Sequence, residues 1–110
     1  MAPTTISPGR EAGTEQETGH DKTPLYRVVL LDDDDHTYDY VIEMLQKVLV
    51  FTLQEAFRHA QEVDMRGRTA LITCELREAE FARDQIQMYG PDHRLPRSKG
   101  SMAALVEPAC

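Results

Sequence analysis

Four consecutive aspartates, at positions 32–35, are the residues of this sequence whose type and spacing could do chemistry. Four adjacent carboxylates cannot all be buried, because an unpaired charge is costly to remove from water. Side chains of this kind can cap a helix, bind a metal ion or hold an ammonium group. Which of these roles the aspartates have depends on the elements that flank them.

The aspartates lie between a predicted strand and a predicted helix. An apolar run at residues 28–31 is long enough for one buried strand and stops at the first aspartate. Beyond them, apolar residues recur at i, i+3, i+4 and i+7 from Tyr38 to Leu49, which predicts a helix beginning near Thr37. Carboxylates at a helix N-terminus are stabilised by about 0.3–1 kcal/mol each. A solvated helix start is therefore the simplest role for the cluster, and it needs no ligand.

The remaining elements follow from the same periodicities. Thr52 and Glu55 form a capping-box pattern that begins a second helix, and Gly67 ends it. The predicted order is β-α-α-β-α-β, which indicates an α+β fold. It would be a compact two-layer α/β sandwich with a three-stranded antiparallel sheet packed on three helices. The later elements are predicted at residues 53–65 (helix), 68–74 (strand), 75–89 (helix), 95–100 (basic loop) and 101–106 (strand).

Composition limits what this fold can do. The first 25 residues contain hardly any large apolar side chain, so residues 1–24 are expected to be a disordered arm and residues 25–108 one folded domain. After residue 25 there are 15 acidic and 10 basic side chains, hence a net charge of −5, which disfavours nucleic acid as a partner. No segment has the length of a membrane span and no signal peptide is visible, so no membrane partner is expected. The two cysteines form no disulfide framework, so a reducing cytoplasm is the expected location.

Catalysis and metal binding are not supported by the spacing of the reactive residues. Cys74 and Cys110 show neither metal spacing nor a disulfide framework, and the four histidines are scattered. No Ser/Cys–His pair is spaced for nucleophilic catalysis. A metal-dependent phosphoacceptor domain also begins with a strand ending in aspartates. That fold needs about five βα units and a later lysine after a strand, and this chain has neither. We therefore expect no enzyme, no metal and no cofactor, and amine capture becomes the competing role for the aspartates.

Two stretches carry a resemblance to a known family. YRVVLLDDD at residues 26–34 and YVIEMLQK at residues 40–47 resemble the ClpS family of Clp protease adaptors, whose signature is Y-K-V-x-L-x-N-D-D-x-T-P-M-x-F-V-x-x-V-L. The resemblance extends over residues 26–90 and resumes at 101–107, after an insertion at 95–100. Further landmarks of the family fall at Glu55, Ala56, Val63, residues 66–68, Ala79, Glu80 and Tyr89.

The resemblance implies a non-enzymatic adaptor. Such a protein binds N-degrons, which are protein N-termini with a bulky hydrophobic first residue, and delivers them to a Clp AAA+ unfoldase of the ClpA or ClpC type. A monomer is expected. Carried over by position, the residues that bind the α-amine are Asp32, Asp33 and Asp64. Those of the hydrophobic pocket are Asp34, His36, Tyr38, Val41, Ala60, Val63 and Met102.

Several positions depart from the family pattern. Asp32 replaces Asn and Asp64 replaces His, so the amine site gains carboxylates that should raise one another's pKa. The other departures are Thr37 for Pro, Tyr38 for the Met at the pocket mouth, and Ala60 where Met is frequent. Val41 and Val63 lie on apolar helix faces and could be core residues with or without a pocket.

The resemblance leaves a second function open. The family's unfoldase-docking surface has a basic residue where this chain has Ala82. A divergent member could therefore keep the fold and act as a regulator of a protease or as a module for internal peptides. The arm has two possible roles as well, since it is either an inert tail or a segment that the unfoldase grips.

Overall fold

The computed structural model of this protein describes residues 23–109. The expected arm therefore lies outside the described residues, except for its last two. The order β-α-α-β-α-β is confirmed, and so is the α+β fold with a three-stranded antiparallel sheet and three helices. The elements are β1 (Leu25–Leu31), α1 (Tyr38–Val48), α2 (Leu53–Arg66), β2 (Arg68–Glu75), α3 (Leu76–Gln87) and β3 (Ala104–Pro108).

The sheet is built around β1. The strand order is β2-β1-β3, and both neighbours run antiparallel to β1. Val28, Val29 and Leu30 of β1 are completely buried, as the uninterrupted apolar run of this strand predicts. Helix α3 contacts all three strands, while α1 and α2 pack on each other. The sheet therefore forms one layer and the helices the other.

Local capping explains where α2 ends and where β1 meets β2. Thr52 and Glu55 form the expected capping box, and Gly67 ends α2 in the left-handed conformation with φ of 84°. A side chain there would be strained, since φ is positive. The Asp32 amide then donates to the Gly67 carbonyl at 3.0 Å. This contact brings the last turn of α2 next to the end of β1.

Two predicted elements, the last strand and the third helix, have boundaries that are wrong by two residues or more. The last strand begins at Ala104 rather than residue 101, because the Ser101 side chain accepts a hydrogen bond from the Gly90 amide at 2.6 Å and holds this segment in a loop. The strand also continues through Pro108, which an edge strand tolerates because its outer side needs no amide donor. Helix α3 ends at Gln87, two residues earlier than the periodicity suggests.

Candidate functional site

The aspartates form a short turn between β1 and α1, called here the acidic turn (residues 32–35). Asp33 organises it: its Oδ1 accepts from the Asp35 amide at 2.8 Å and lies 2.7 Å from His36 Nδ1. His36 Nε2 is 2.7 Å from the Gly100 carbonyl oxygen, which can only accept, so Nε2 donates in this contact. The His36 side chain is only 4% exposed. Asp33 and His36 therefore fix the shape of the turn.

Asp32 and Asp64 come together across the β1–α2 junction. Burial raises the pKa of Asp32 above its usual value, the Asp33 amide lowers it by hydrogen bonding, and the carboxylates of Asp64, Asp33 and Asp34 raise it again. Burial is the largest cause of the raised pKa of Asp32, and the neighbouring carboxylates add to it. The Tyr38 hydroxyl donates to Asp64 Oδ2 at 3.0 Å. Asp32 thus interacts electrostatically with Asp33 and Asp64, the other two carboxylates expected to bind the α-amine.

Tyr38 joins the acidic residues to the apolar ones. It is the first residue of α1 and is 37% exposed. Burial raises the pKa of its phenol, and the hydrogen bond to Asp64 raises it further. The ring centroid of Tyr38 lies 6.2 Å from that of Phe57, which is 45% exposed on α2. Phe57 was not expected at the site, although its position three residues before Ala60 places both on one face of α2.

The expected pocket residues also lie together. Val41 comes from α1, Ala60 and Val63 from α2, and Met102 from the segment before β3. All four belong to one buried hydrophobic cluster and are only 1–4% exposed. They are consequently core residues of the domain, whatever else they do.

Asp34 differs from the other pocket candidates because its contact is made by the backbone. The Arg97 guanidinium crosses the acidic turn: Nε lies 3.1 Å from the Asp34 carbonyl oxygen and 3.0 Å from Asp35 Oδ1, and Nη2 also donates to the Asp34 carbonyl. Arg97 lies in the expected insertion at residues 95–100. This insertion therefore covers part of the acidic turn with a positive charge.

Asp92 is a structural residue that the sequence analysis missed. Its side chain is fully buried and accepts from the Thr37 amide at 2.7 Å, the Thr37 hydroxyl at 2.8 Å, the Arg94 amide at 3.0 Å and Arg94 Nη1 at 3.2 Å. Burial acts to raise the pKa of Asp92, but these hydrogen bonds outweigh it and lower the pKa to about 2. The Pro-Asp pair at residues 91 and 92 signals a turn, but it does not reveal Thr37 as the partner.

Within residues 23–109, no three His, Cys, Asp or Glu side chains are grouped closely enough to hold a metal ion. None of the helices in this range combines the length and the apolar character needed to cross a bilayer.

Fold and site together define a small α+β domain in which a cluster of carboxylates adjoins an apolar core. Comparison with known families identifies it: residues 21–96 match the family described as "ATP-dependent Clp protease adaptor protein ClpS". The chain therefore belongs to the ClpS family, as its motifs indicated. The family is one of adaptors of the Clp protease.

Individual relatives agree with this assignment. The ATP-dependent Clp protease adapter protein ClpS of a Synechococcus species is 34% identical over 77 residues, which cover 69% of this chain and 85% of that protein. The chloroplast adapter protein CLPS1 of Arabidopsis thaliana is 32% identical over 75 residues. A match of 69 residues to the human E3 ubiquitin-protein ligase UBR1 is 33% identical. The matches span 47% of CLPS1 and 4% of UBR1.

A solved structure supports the fold. The structure of Agrobacterium tumefaciens ClpS2 bound to L-phenylalaninamide superposes with a TM-score of 0.68 and covers 79% of this chain and 99% of that one. The two sequences are 23% identical, so this likeness concerns the fold.

Proposed function

We propose that this protein binds the N-termini of proteins whose first residue is bulky and hydrophobic, and delivers them to a Clp AAA+ unfoldase. The observation that supports the proposal is that Asp32 interacts electrostatically with Asp33 and Asp64 next to the apolar cluster, where the Tyr38 hydroxyl donates to Asp64. In this proposal the protein acts as a cytoplasmic monomer with an unfoldase of the ClpA or ClpC type.

The amine part of the ligand fits the carboxylates. A free α-amine has a pKa of about 7.7–8.0, so it is mostly cationic at neutral pH and can donate up to three hydrogen bonds. Both contacts of Asp33 described above use Oδ1, so Oδ2 is the oxygen of this residue that an ammonium would use. An incoming ammonium would also offset the repulsion from Asp64, Asp33 and Asp34, which adds to the effect of burial in raising the pKa of Asp32.

The side chain of the first residue would be buried in the apolar part. An aromatic side chain buries roughly 150–250 Å². At about 25 cal/mol/Å², this corresponds to roughly 4–6 kcal/mol before entropic costs. Together with the ammonium contacts, that is enough for an affinity on the order of micromolar. The relative that binds L-phenylalaninamide supports this chemistry, because that compound carries both an α-amine and a benzyl group.

A second function is favoured by the closed state of the cluster. Val41, Ala60, Val63 and Met102 are nearly inaccessible, and Tyr38 and Phe57 lie close to each other above α2. A first residue could enter only after these groups move. If they do not, the domain would be a regulator of a protease or a module for internal peptides, with altered or lost N-degron specificity.

One binding experiment separates these functions. Short fluorescent peptides that begin with Leu, Phe or Gly are titrated against the protein, each as a twin pair with a free or an acetylated N-terminus. We expect binding of the free Leu and Phe peptides and at least tenfold weaker binding of their acetylated twins, because acetylation removes the positive charge. Equal binding of the twins would contradict amine capture. Equal binding of Gly and Leu peptides would contradict the apolar pocket.

A further inference from the structure

A buried carboxylate outside the amine site anchors the loop between α3 and β3. Asp92 receives two hydrogen bonds from Thr37, the N-cap residue of α1, and two from Arg94. No other Asp or Glu in residues 23–109 is buried to this degree. An ionised carboxylate in such a place must be held by its donors, because an unpaired buried charge is very costly.

The rest of the loop depends on Asp92. The Asp92 amide donates to Ser98 Oγ at 2.9 Å, and the Asp92 carbonyl accepts from the Leu95 amide at 3.1 Å. Two residues after Ser98, the Gly100 carbonyl accepts from His36 Nε2 at 2.7 Å. Residues 92–100 are thus a compact turn that is fixed at one end to the start of α1 and at the other to the acidic turn.

This turn determines where Met102 lies. Met102 follows Gly100 by two residues and inserts into the apolar cluster, although it belongs to neither a helix nor a strand. Its flanks are held by side-chain and backbone contacts: Ser101 Oγ accepts from the Gly90 amide at 2.6 Å, and the Ala103 carbonyl accepts from the Leu31 amide at 3.0 Å. A Met side chain is flexible, so its place in the cluster depends on a fixed backbone.

We infer that Asp92 is a positioning residue for the proposed N-degron site. Asp92 fixes the loop that places Met102 in the apolar cluster and Gly100 against His36. The inference rests on the proposed function. The anchor uses two donors of Thr37, its amide and its hydroxyl. The Pro that the family has at this position offers neither of them.

Asp92→Asn tests this inference. Whichever way the new amide turns, its NH₂ group faces donors, either from Thr37 or from Arg94, so one side of the anchor is lost. We expect the affinity for a free Leu peptide to fall about tenfold at a temperature where the variant is fully folded. The matched control is Glu43→Gln, which removes the negative charge 3.1 Å from Arg94 and leaves the hydrogen bonds of Asp92 in place. The control should bind like the wild type.

A double-mutant cycle shows whether Asp92 acts through Met102. In a Met102→Ala background, Asp92→Asn should cost less than threefold, because the side chain that it positions is already absent. The ε-methyl NMR signal of Met102, measured without peptide, should shift in Asp92→Asn and stay in place in Glu43→Gln. If Asp92→Asn does not fold, Ser98→Ala replaces it: loss of this acceptor should weaken binding in the same direction and show the same dependence on Met102.

The outcomes separate the inference from the proposed function. Wild-type protein that does not distinguish the free from the acetylated peptide refutes the proposed function, whatever the Met102 signal does. Wild-type protein that distinguishes them, together with an Asp92→Asn variant of unchanged affinity and an unmoved Met102 signal, refutes the inference alone. A tenfold loss that is equally large in the Met102→Ala background also refutes it, because Asp92 would then act independently of Met102.

Discussion

Replacing Asp32 with Asn should make the domain more stable and the proposed site weaker. Asn is the residue that the family has at this position, and it keeps the backbone hydrogen bond from the Asp32 amide to the Gly67 carbonyl. It removes one charge from a cluster in which burial and the carboxylates of Asp64, Asp33 and Asp34 all raise the pKa of Asp32. A raised pKa in an acid means that ionisation of this group opposes folding.

The stability effect has a defined sign and size. Because the pKa of Asp32 is higher in the folded than in the unfolded state, its favourable contribution is present at low pH and is lost as the pH rises through the raised pKa. Asp32 is only partly buried and remains largely exposed, so solvent screening limits the cost of its ionisation to about 0.5 kcal/mol. For a domain of this size, Asp32→Asn should therefore raise Tm by about 2–4 °C at pH 7, measured by circular dichroism or calorimetry.

The binding effect has the opposite sign. A hydrogen bond to a charged group contributes about 1.5–3 kcal/mol and a neutral one about 0.5–1.5 kcal/mol, so loss of the charge should cost roughly 1 kcal/mol, or about fivefold in affinity. The wild-type affinity for a free Leu peptide should also fall as the pH drops through the raised pKa, since protonated Asp32 no longer attracts an ammonium. The variant should lack this dependence.

Asp39→Asn is the matched control for Asp32→Asn. Asp39 is exposed in the first turn of α1, so its substitution removes the same charge elsewhere on the acidic end of the molecule. The control should leave the peptide affinity within twofold of the wild type. A lower Tm and an unchanged affinity in Asp32→Asn would refute the reasoning and assign Asp32 to the turn alone.

Three further predictions concern other parts of the molecule. Tyr38→Ala should admit peptides that begin with Val or Ile, with less than about 1.5 kcal/mol change for Leu, because Tyr38 stands at the expected mouth of the pocket. Acid unfolding should show the contribution of Asp92. Its lowered pKa of about 2 stabilises the fold by about 2 kcal/mol at a pH above the unfolded-state pKa, and this stabilisation is lost as the pH falls towards 2. In Asp92→Asn, the free energy of unfolding should depend less on pH over this range. Deletion of residues 1–22 should preserve peptide binding but abolish the accelerated degradation of an N-degron reporter by a reconstituted Clp protease. A scrambled arm of equal length should restore the degradation. Undiminished degradation by the truncated protein would show that the arm is an inert tail.

The fold could be predicted because its signals are local. The apolar run of β1, the capping box of Thr52 and Glu55, and the left-handed Gly67 each act within a few residues, and all three are present in the structure. The ends of α3 and β3 could not be predicted as well, because they depend on contacts with a loop. Ser101, for example, is held out of β3 by the distant Gly90 amide.

The candidate site was predicted in composition but not in its supporting contacts. Motif positions pointed to Asp32, Asp33 and Asp64, and the structure shows that Asp32 interacts electrostatically with the other two. The contacts of Asp92 with Thr37 and of Arg97 with the acidic turn join residues 55 to 63 positions apart. No periodicity or short motif reports contacts at such separations, so the sequence showed this loop only as a basic insertion.

The supporting contacts also bear on the simplest role of the aspartates, which is to cap α1. That helix is capped by Thr37, whose side chain accepts a hydrogen bond from the Tyr40 amide at 3.1 Å. The Thr37 amide in turn donates to the Asp92 carboxylate. Within the acidic turn, the Asp35 carboxylate contacts Arg97, and the Asp33 carboxylate holds the turn. Capping therefore does not account for the aspartates. Nor does it account for Asp32, because burial and the carboxylates of Asp64, Asp33 and Asp34 raise the pKa of this residue, so that its ionisation opposes folding.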